Sequence, residues 1–212
     1  MRRVRVKDLS FSYDGRTPVI ENVTFEVEDG EFVGIIGPNG SGKTTLIKLV
    51  LGLLKPSAGS VFVSGSVGYV PQRISTDQSF PGTADEILKA SGSSEEIIDR
   101  LHLRRILCRK FVDLSGGEQR TLLFGIALAG DPEILILDEP TAGVDAHTKA
   151  HISAILEDLK GTKTILMVSH DIGLVLGVAT KVVCLNRRVH YIGPPEKAPA
   201  FIEELFGMRA LR

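Results

Sequence analysis

An α/β fold built on a parallel sheet is predicted by three stretches of this 212-residue chain. GPNGSGKTT, Gly37 to Thr45, follows the apolar run Phe32 to Ile36 and reads as a buried strand ending in a glycine-rich turn before a helix. EILILDEP, Glu133 to Pro140, sets four consecutive large apolar residues before two carboxylates. A continuous apolar run, without alternation, suits a strand buried on both faces of a parallel sheet. Thr164 to Val168 repeats that pattern and ends in Ser169-His170-Asp171.

Around these strands the elements follow in order. Residues 4–11 and 19–36 read as strands, with Val23, Phe25 and Val27 alternating with polar neighbours. Glu28-Asp29-Gly30-Glu31 is a hairpin signal, so an antiparallel rim is expected to feed the strand before the glycine-rich turn. Tyr13 falls in a loop just ahead of that rim. After the turn, Leu46, Ile47, Leu49, Val50 and Leu53 predict a helix of about three turns, stopping near Lys55-Pro56 because proline disfavours helix in the residue before it. Gly59 to Val70 reads as two short strands, and Gln72 lies where the second empties into a loop. From Arg73 to Gly130 the chain turns polar and glycine-dotted, then helical, which predicts an inserted helical lobe. Ser93-Ser94-Glu95-Glu96 starts a helix, and the stripe Ile97, Ile98, Leu101, Leu103 and Ile106 is read as core packing. Ser115 with Glu118 three places on is a capping box for a helix to Ala129. Asp145 caps a helix carrying Ile152, Ile155, Leu156 and Leu159, with His147 and His151 on its solvated face. A last strand, Lys181 to Leu185, precedes a turn at Gly193-Pro194-Pro195 and a short amphipathic helix to Gly207.

Composition narrows the class. Hydrophobic residues make up 43% and charged residues 24%, with a formal net charge of -1, which describes a globular chain with no global pull toward nucleic acid. The basic start MRRVRVKDLS has no apolar segment behind it, and no 18-residue apolar run occurs, so neither export nor a membrane span is expected. Cys108 and Cys184 match no paired metal or redox spacing; a reduced setting and a core-filling role are expected for both.

The chemistry is concentrated in four places. Gly37, Gly42, Lys43 and Thr44 complete G-x-x-x-x-G-K-[ST], in which turn amides and a helix N-terminus wrap a phosphate. Lys43 would reach the terminal phosphates, and the Thr44 hydroxyl would take one position on Mg²⁺. Asp138 ends a central strand where it can face that ion, and Glu139 can orient and deprotonate a water. His170 arrives at the same sheet edge. At LSGGEQ, Leu114 to Gln119, Ser115 and the amides of Gly116 and Gly117 could donate to a phosphate, and the two glycines suggest that something approaches the backbone closely.

Taken in order, these motifs resemble the nucleotide-binding subunit of ABC transporters over the whole chain, with LSGGEQ the discriminating motif. The resemblance implies a P-loop NTPase (RecA-like) fold: a parallel sheet core, an antiparallel β rim and an inserted α-helical subdomain. It implies one domain, 1–212, with the core in 1–72 and 131–212 and the helical subdomain in 73–130. ATP and Mg²⁺ are the implied cofactors. Tyr13 would stack on adenine, and Gly37, Pro38, Asn39, Gly40, Ser41, Gly42, Lys43, Thr44 and Thr45 would hold the phosphates. Gln72 would contact Mg²⁺ and the attacking water, Asp138 would be a Mg²⁺ ligand, Glu139 the general base, and His170 would touch the γ-phosphate. Ser115, Gly117 and Glu118 would complete the site of a second subunit, and Asp145 would lie on a loop crossing that interface. Implied partners are a second copy in the ATP-bound state, a separate integral membrane permease and an extracytoplasmic substrate-binding protein, with no nucleic acid; the implied place is the cytoplasmic face of the membrane. Ala142 stands where many relatives have serine.

Within the family the chain is most similar to ATPases of zinc and manganese uptake, through the short connection from Gly59 to Gln72, the GVDA loop and CLNRRVHYIGPP. Other readings are another transporter type or a non-transport ABC ATPase acting on nucleic acid or ribosomes. Those last often carry two cassettes or long coiled insertions, which this chain lacks. A kinase or GTPase would lack LSGGEQ, and no N-K-x-D is found for guanine.

Overall fold

A computed structural model describes residues 2–72 and 82–207. Nine strands form two sheets among these residues. Strands β1 (Arg2–Phe11), β2 (Ile20–Glu28) and β4 (Ala58–Val63) make an antiparallel sheet in the order β2-β1-β4. The larger sheet joins β3 (Phe32–Ile36), β5 (Val67–Val70), β6 (Ile134–Asp138), β7 (Thr164–Val168), β8 (Lys181–Asn186) and β9 (Arg188–Gly193) in the order β5-β6-β7-β3-β8-β9. All its neighbours run parallel except β8 and β9, which form an antiparallel edge.

The central strands read as continuous apolar runs because each feeds two cores. Phe32, Ile36, Leu135, Leu137, Ile165, Met167, Val182 and Cys184 face one side, where the helices lie. Val33, Ile35, Ile134, Ile136, Leu166, Val168, Val183 and Leu185 face the other, against helix α1 (Lys43–Val50) and the antiparallel sheet. Such alternation across a doubly covered sheet leaves no polar position between. Helices α2 (Ala84–Ser91), α3 (Glu95–Arg100) and α4 (Gly116–Leu128) pack on the first core, and Leu101, Leu103 and Ile106 are buried in it as expected. Gly125 of α4 lets Leu88 and Leu103 approach; a Cβ there would stand 2.8 Å and 3.0 Å from their methyl groups. Helices α5 (Ala146–Leu159), α6 (Ile172–Val178) and α7 (Pro199–Phe206) complete that layer.

Several local expectations are corrected. Glu28 to Glu31 is a turn, with the Glu31 amide donating to the Glu28 carbonyl, but β2 and β3 belong to different sheets, so no hairpin joins them. The strands from Gly59 to Val70 are likewise divided between the two sheets. Helix α1 ends at Val50, well before Pro56, because Gly52 takes the left-handed conformation (φ 71°) that terminates helices; Leu53 is consequently 65% exposed. Cys184 is buried, its thiol pushed up to about 11 by desolvation, whereas Cys108 lies exposed in the turn after the apolar stripe. Strand β9 and helices α2 and α6 are additions. The first stretch of the expected lobe, 73–81, lies outside the described residues. No described helix is long and apolar enough to cross a membrane.

Candidate active site

The carboxyl ends of β3, β5, β6 and β7 come together at one sheet edge, the position where open α/β sheets bind ligands. The turn after β3 is built for close approach. At Gly37 a Cβ would stand 2.0 Å from the Leu185 carbonyl oxygen, and Gly42 (φ 98°) would strike Ile20 and Val19. Lys43 folds back over the turn, donating from Nζ to the Gly37 carbonyl at 2.7 Å and the Pro38 carbonyl at 3.0 Å. Burial lowers its pKa, while the charges of Glu139 and Asp138 act against that. Ser41 Oγ is a buried polar atom without a partner among the described residues. An orphaned hydroxyl in a glycine-rich turn beside a caged ammonium is a donor set that a phosphate chain satisfies.

Thr44 Oγ1 donates to Asp138 Oδ1 at 3.4 Å. Asp138 is buried, and desolvation first, then the neighbouring Glu139 charge, push its pKa up to about 6. Glu139 is 5% exposed and adopts a left-handed backbone (φ 52°), a conformation that costs a non-glycine residue and clusters at functional sites. Its Oε2 accepts from the His170 amide at 3.1 Å and meets His170 Nδ1 at 2.6 Å. Sequence reading placed these two groups on one edge; the direct bond between them is new.

A cavity of about 210 Å³ is lined by Asn39 to Thr45, Val19, Gln72 and Glu139, so Gln72 and Glu139 do meet the loop. Tyr13 is 63% exposed, stands edge-on to Phe11, and its hydroxyl lies 3.2 Å from Thr45 Oγ1, which brings it to the rim of the loop. Arg120 went unnoticed in the sequence, since an arginine inside a helix carries no signal of burial. It is 8% exposed and donates to the backbone carbonyls of Pro71 and Gln72.

The LSGGEQ residues are elsewhere. Ser115, Gly117 and Glu118 line a separate cleft of about 690 Å³ with Asp145, His147, His151, Arg105 and Arg109. The capping box is made in full: Ser115 Oγ accepts from the Glu118 amide at 3.3 Å, and the Glu118 carboxylate accepts from the Ser115 amide at 2.8 Å and from Arg109 at 2.7 Å. The two glycines differ. A Cβ on Gly117 would stand 2.3 Å from Thr148 Oγ1 of the same chain, while one on Gly116 would meet nothing within 4 Å. Close approach therefore explains Gly117 from within, and only Gly116 is open outward. Asp145 caps α5 by accepting from the Thr148 amide. His147 is exposed and His151 half-buried along the open cleft, in keeping with the expected solvated face, and no group of three metal-capable side chains occurs among the described residues.

A phosphate-gripping turn, an acidic pair and a histidine on one parallel-sheet edge define a nucleoside-triphosphatase of the P-loop class. Residues 20–142 match the family model described as ABC transporter. The chain is 41% identical to a protein of Thermotoga maritima named "Probable metal transport system ATP-binding protein", covering 97% of this chain and 91% of that one. It is 38% identical to the zinc import ATP-binding protein ZnuC of Pseudomonas savastanoi, over 98% of this chain and 82% of the relative. A nucleotide-free ATP-binding cassette from an ABC transporter shares the fold with a TM-score of 0.83 at 24% identity, covering 97% and 98% of the two chains. The dimeric structure of a bacterial ABC transporter cassette matches with a TM-score of 0.78 at 26% identity, over 91% and 98%. The chain belongs to the ABC transporter family, as an ATP-binding and ATP-hydrolysing subunit.

Proposed function

We propose that this chain powers import of a divalent metal ion, zinc or manganese, through a separate integral membrane permease, on whose cytoplasmic face it sits as a pair that closes around two ATP molecules. An extracytoplasmic binding protein would deliver the metal. The observation that carries the metal reading is likeness along nearly the whole chain to relatives named for metal and zinc transport. Pairing is supported by the separation of the LSGGEQ cleft from the phosphate loop within one chain.

In this reading Gly37 to Thr45 hold the phosphates and Tyr13 stacks on the base. Thr44, Asp138 and Gln72 offer the hard oxygen donors that suit Mg²⁺, which when bound neutralises charge on the terminal phosphates. Glu139 accepts the proton of a water as its oxygen attacks the γ-phosphorus and the bond to the β–γ bridging oxygen breaks, releasing ADP and phosphate. Among the described residues the hydrogen bonds of its carboxylate are all at Oε2, which leaves Oε1 for the water. His170 holds Glu139 and reaches toward the γ-phosphate. Ser115, Gly117 and Glu118 serve the partner's nucleotide. The core and the helical part act as one ATPase domain, with the helical part carrying the permease contact.

The test is reconstitution of the chain with its permease in vesicles. ATP-dependent uptake of Zn²⁺ or Mn²⁺ is expected; ATP hydrolysis without uptake of either would overturn the metal reading and leave the ATPase intact.

A further inference from the structure

Arg120 lies on α4, five residues beyond Ser115, with its head buried beneath the end of β5. Nη1 donates to the Pro71 carbonyl at 2.6 Å and Nη2 to the Gln72 carbonyl at 2.9 Å. Neither acceptor is charged, and among the described residues Arg120 makes no ion pair; Asp138 and Glu139 act on it only through their field, against the desolvation that lowers its pKa. A buried cation is costly and is retained only where its geometry is satisfied. The planar guanidinium fork gives each of two successive carbonyls its own nitrogen in a fixed geometry, which a lysine ammonium, with its single nitrogen, does not reproduce.

That grip joins two regions. On one side, α4 begins at the LSGGEQ cap; on the other, Gln72 lines the cavity of the phosphate loop with Glu139. A helix of 13 residues is stiff enough to carry a displacement from its first turn to Arg120. Resting on the reading of Gln72 as a participant in hydrolysis, we propose that Arg120 is a positioning residue that fixes the Gln72 backbone to α4, so that seating of the α4 head governs whether Gln72 faces the reacting phosphate.

The experiment compares Arg120→Met and Arg120→Lys, each alone and combined with Gln72→Ala, measuring kcat, ATP Kd and Tm on the full chain. Arg120→Met is expected to lower kcat about tenfold with ATP Kd within about twofold, and Arg120→Lys to recover part of the loss. In the Gln72→Ala background either change should alter kcat by less than about twofold. Arg120→Lys keeps the charge, so it reports even if Arg120→Met does not fold. Parental kcat in Arg120→Lys and Arg120→Met, or losses that multiply in full with that of Gln72→Ala, would overturn the inference while leaving Gln72 in place. Parental kcat in Gln72→Ala alone would instead overturn the role of Gln72, and with it the route assigned to Arg120.

Discussion

At the phosphate loop, the groups that would meet a nucleotide are gathered and held in tension: Lys43 is bonded to the turn's own carbonyls, Asp138 is buried near another carboxylate, and Ser41 Oγ has no partner. At the head of α4, by contrast, Ser115 and Glu118 satisfy one another and face an open cleft. In the first region a phosphate would meet the orphaned hydroxyl and Mg²⁺ would relieve the carboxylate pair; the second is satisfied until something displaces its cap. A single chain thus carries a primed half and a resting half, which in the pairing proposed above would face each other as two sides of one site.

The largest expected effect breaks the primed half at its chemistry. Glu139→Gln keeps shape but cannot take the proton, so turnover should fall by roughly 10²- to 10⁴-fold while ATP binding persists. Steady-state hydrolysis beside equilibrium binding checks this, and near-parental turnover would move the base to His170. Lys43→Ala should act on binding itself, weakening ATP by roughly tenfold to a hundredfold, the scale of a lost hydrogen bond to a charged group, as read by nucleotide titration.

Asp138 sharpens the account of stored demand. Its folded-state pKa near 6 lies above the ordinary value of 3.8, so the folded chain binds the proton more tightly than the unfolded one. Its contribution is most favourable at low pH and is lost as pH rises from about 4 to 6. Asp138→Asn should therefore stabilise the nucleotide-free, metal-free protein by about 1–3 kcal/mol at pH 7.5, with the gain shrinking toward pH 4. Denaturant unfolding at the two pH values decides it; a pH-independent difference would deny the strain. Ser115→Ala, in the resting half, should cost about 1 kcal/mol through the lost cap, a Tm decrease of a few degrees.

Much of this was legible in the chain. The continuous runs at Phe32 to Ile36, Glu133 to Pro140 and Thr164 to Val168 name the parallel strands because burial on both faces erases alternation. The capping box at Ser115 is a local rule, and it holds. Which strands share a sheet was not legible, because the turn Glu28 to Glu31 looks the same whether it closes a hairpin or crosses between sheets. Leu53 misled because a left-handed glycine stops a helix sooner than a later proline does. Arg120 and the His170–Glu139 bond depend on long-range packing that no spacing reveals.

Whether the primed and resting halves belong to one site shared by two chains is decided by sedimentation of the Glu139→Gln protein with saturating ATP. A dimer that reverts to monomer without nucleotide is expected, and a monomer throughout when Ser115→Arg is added. A monomer at every ATP concentration, or a dimer indifferent to Ser115→Arg, would contradict it.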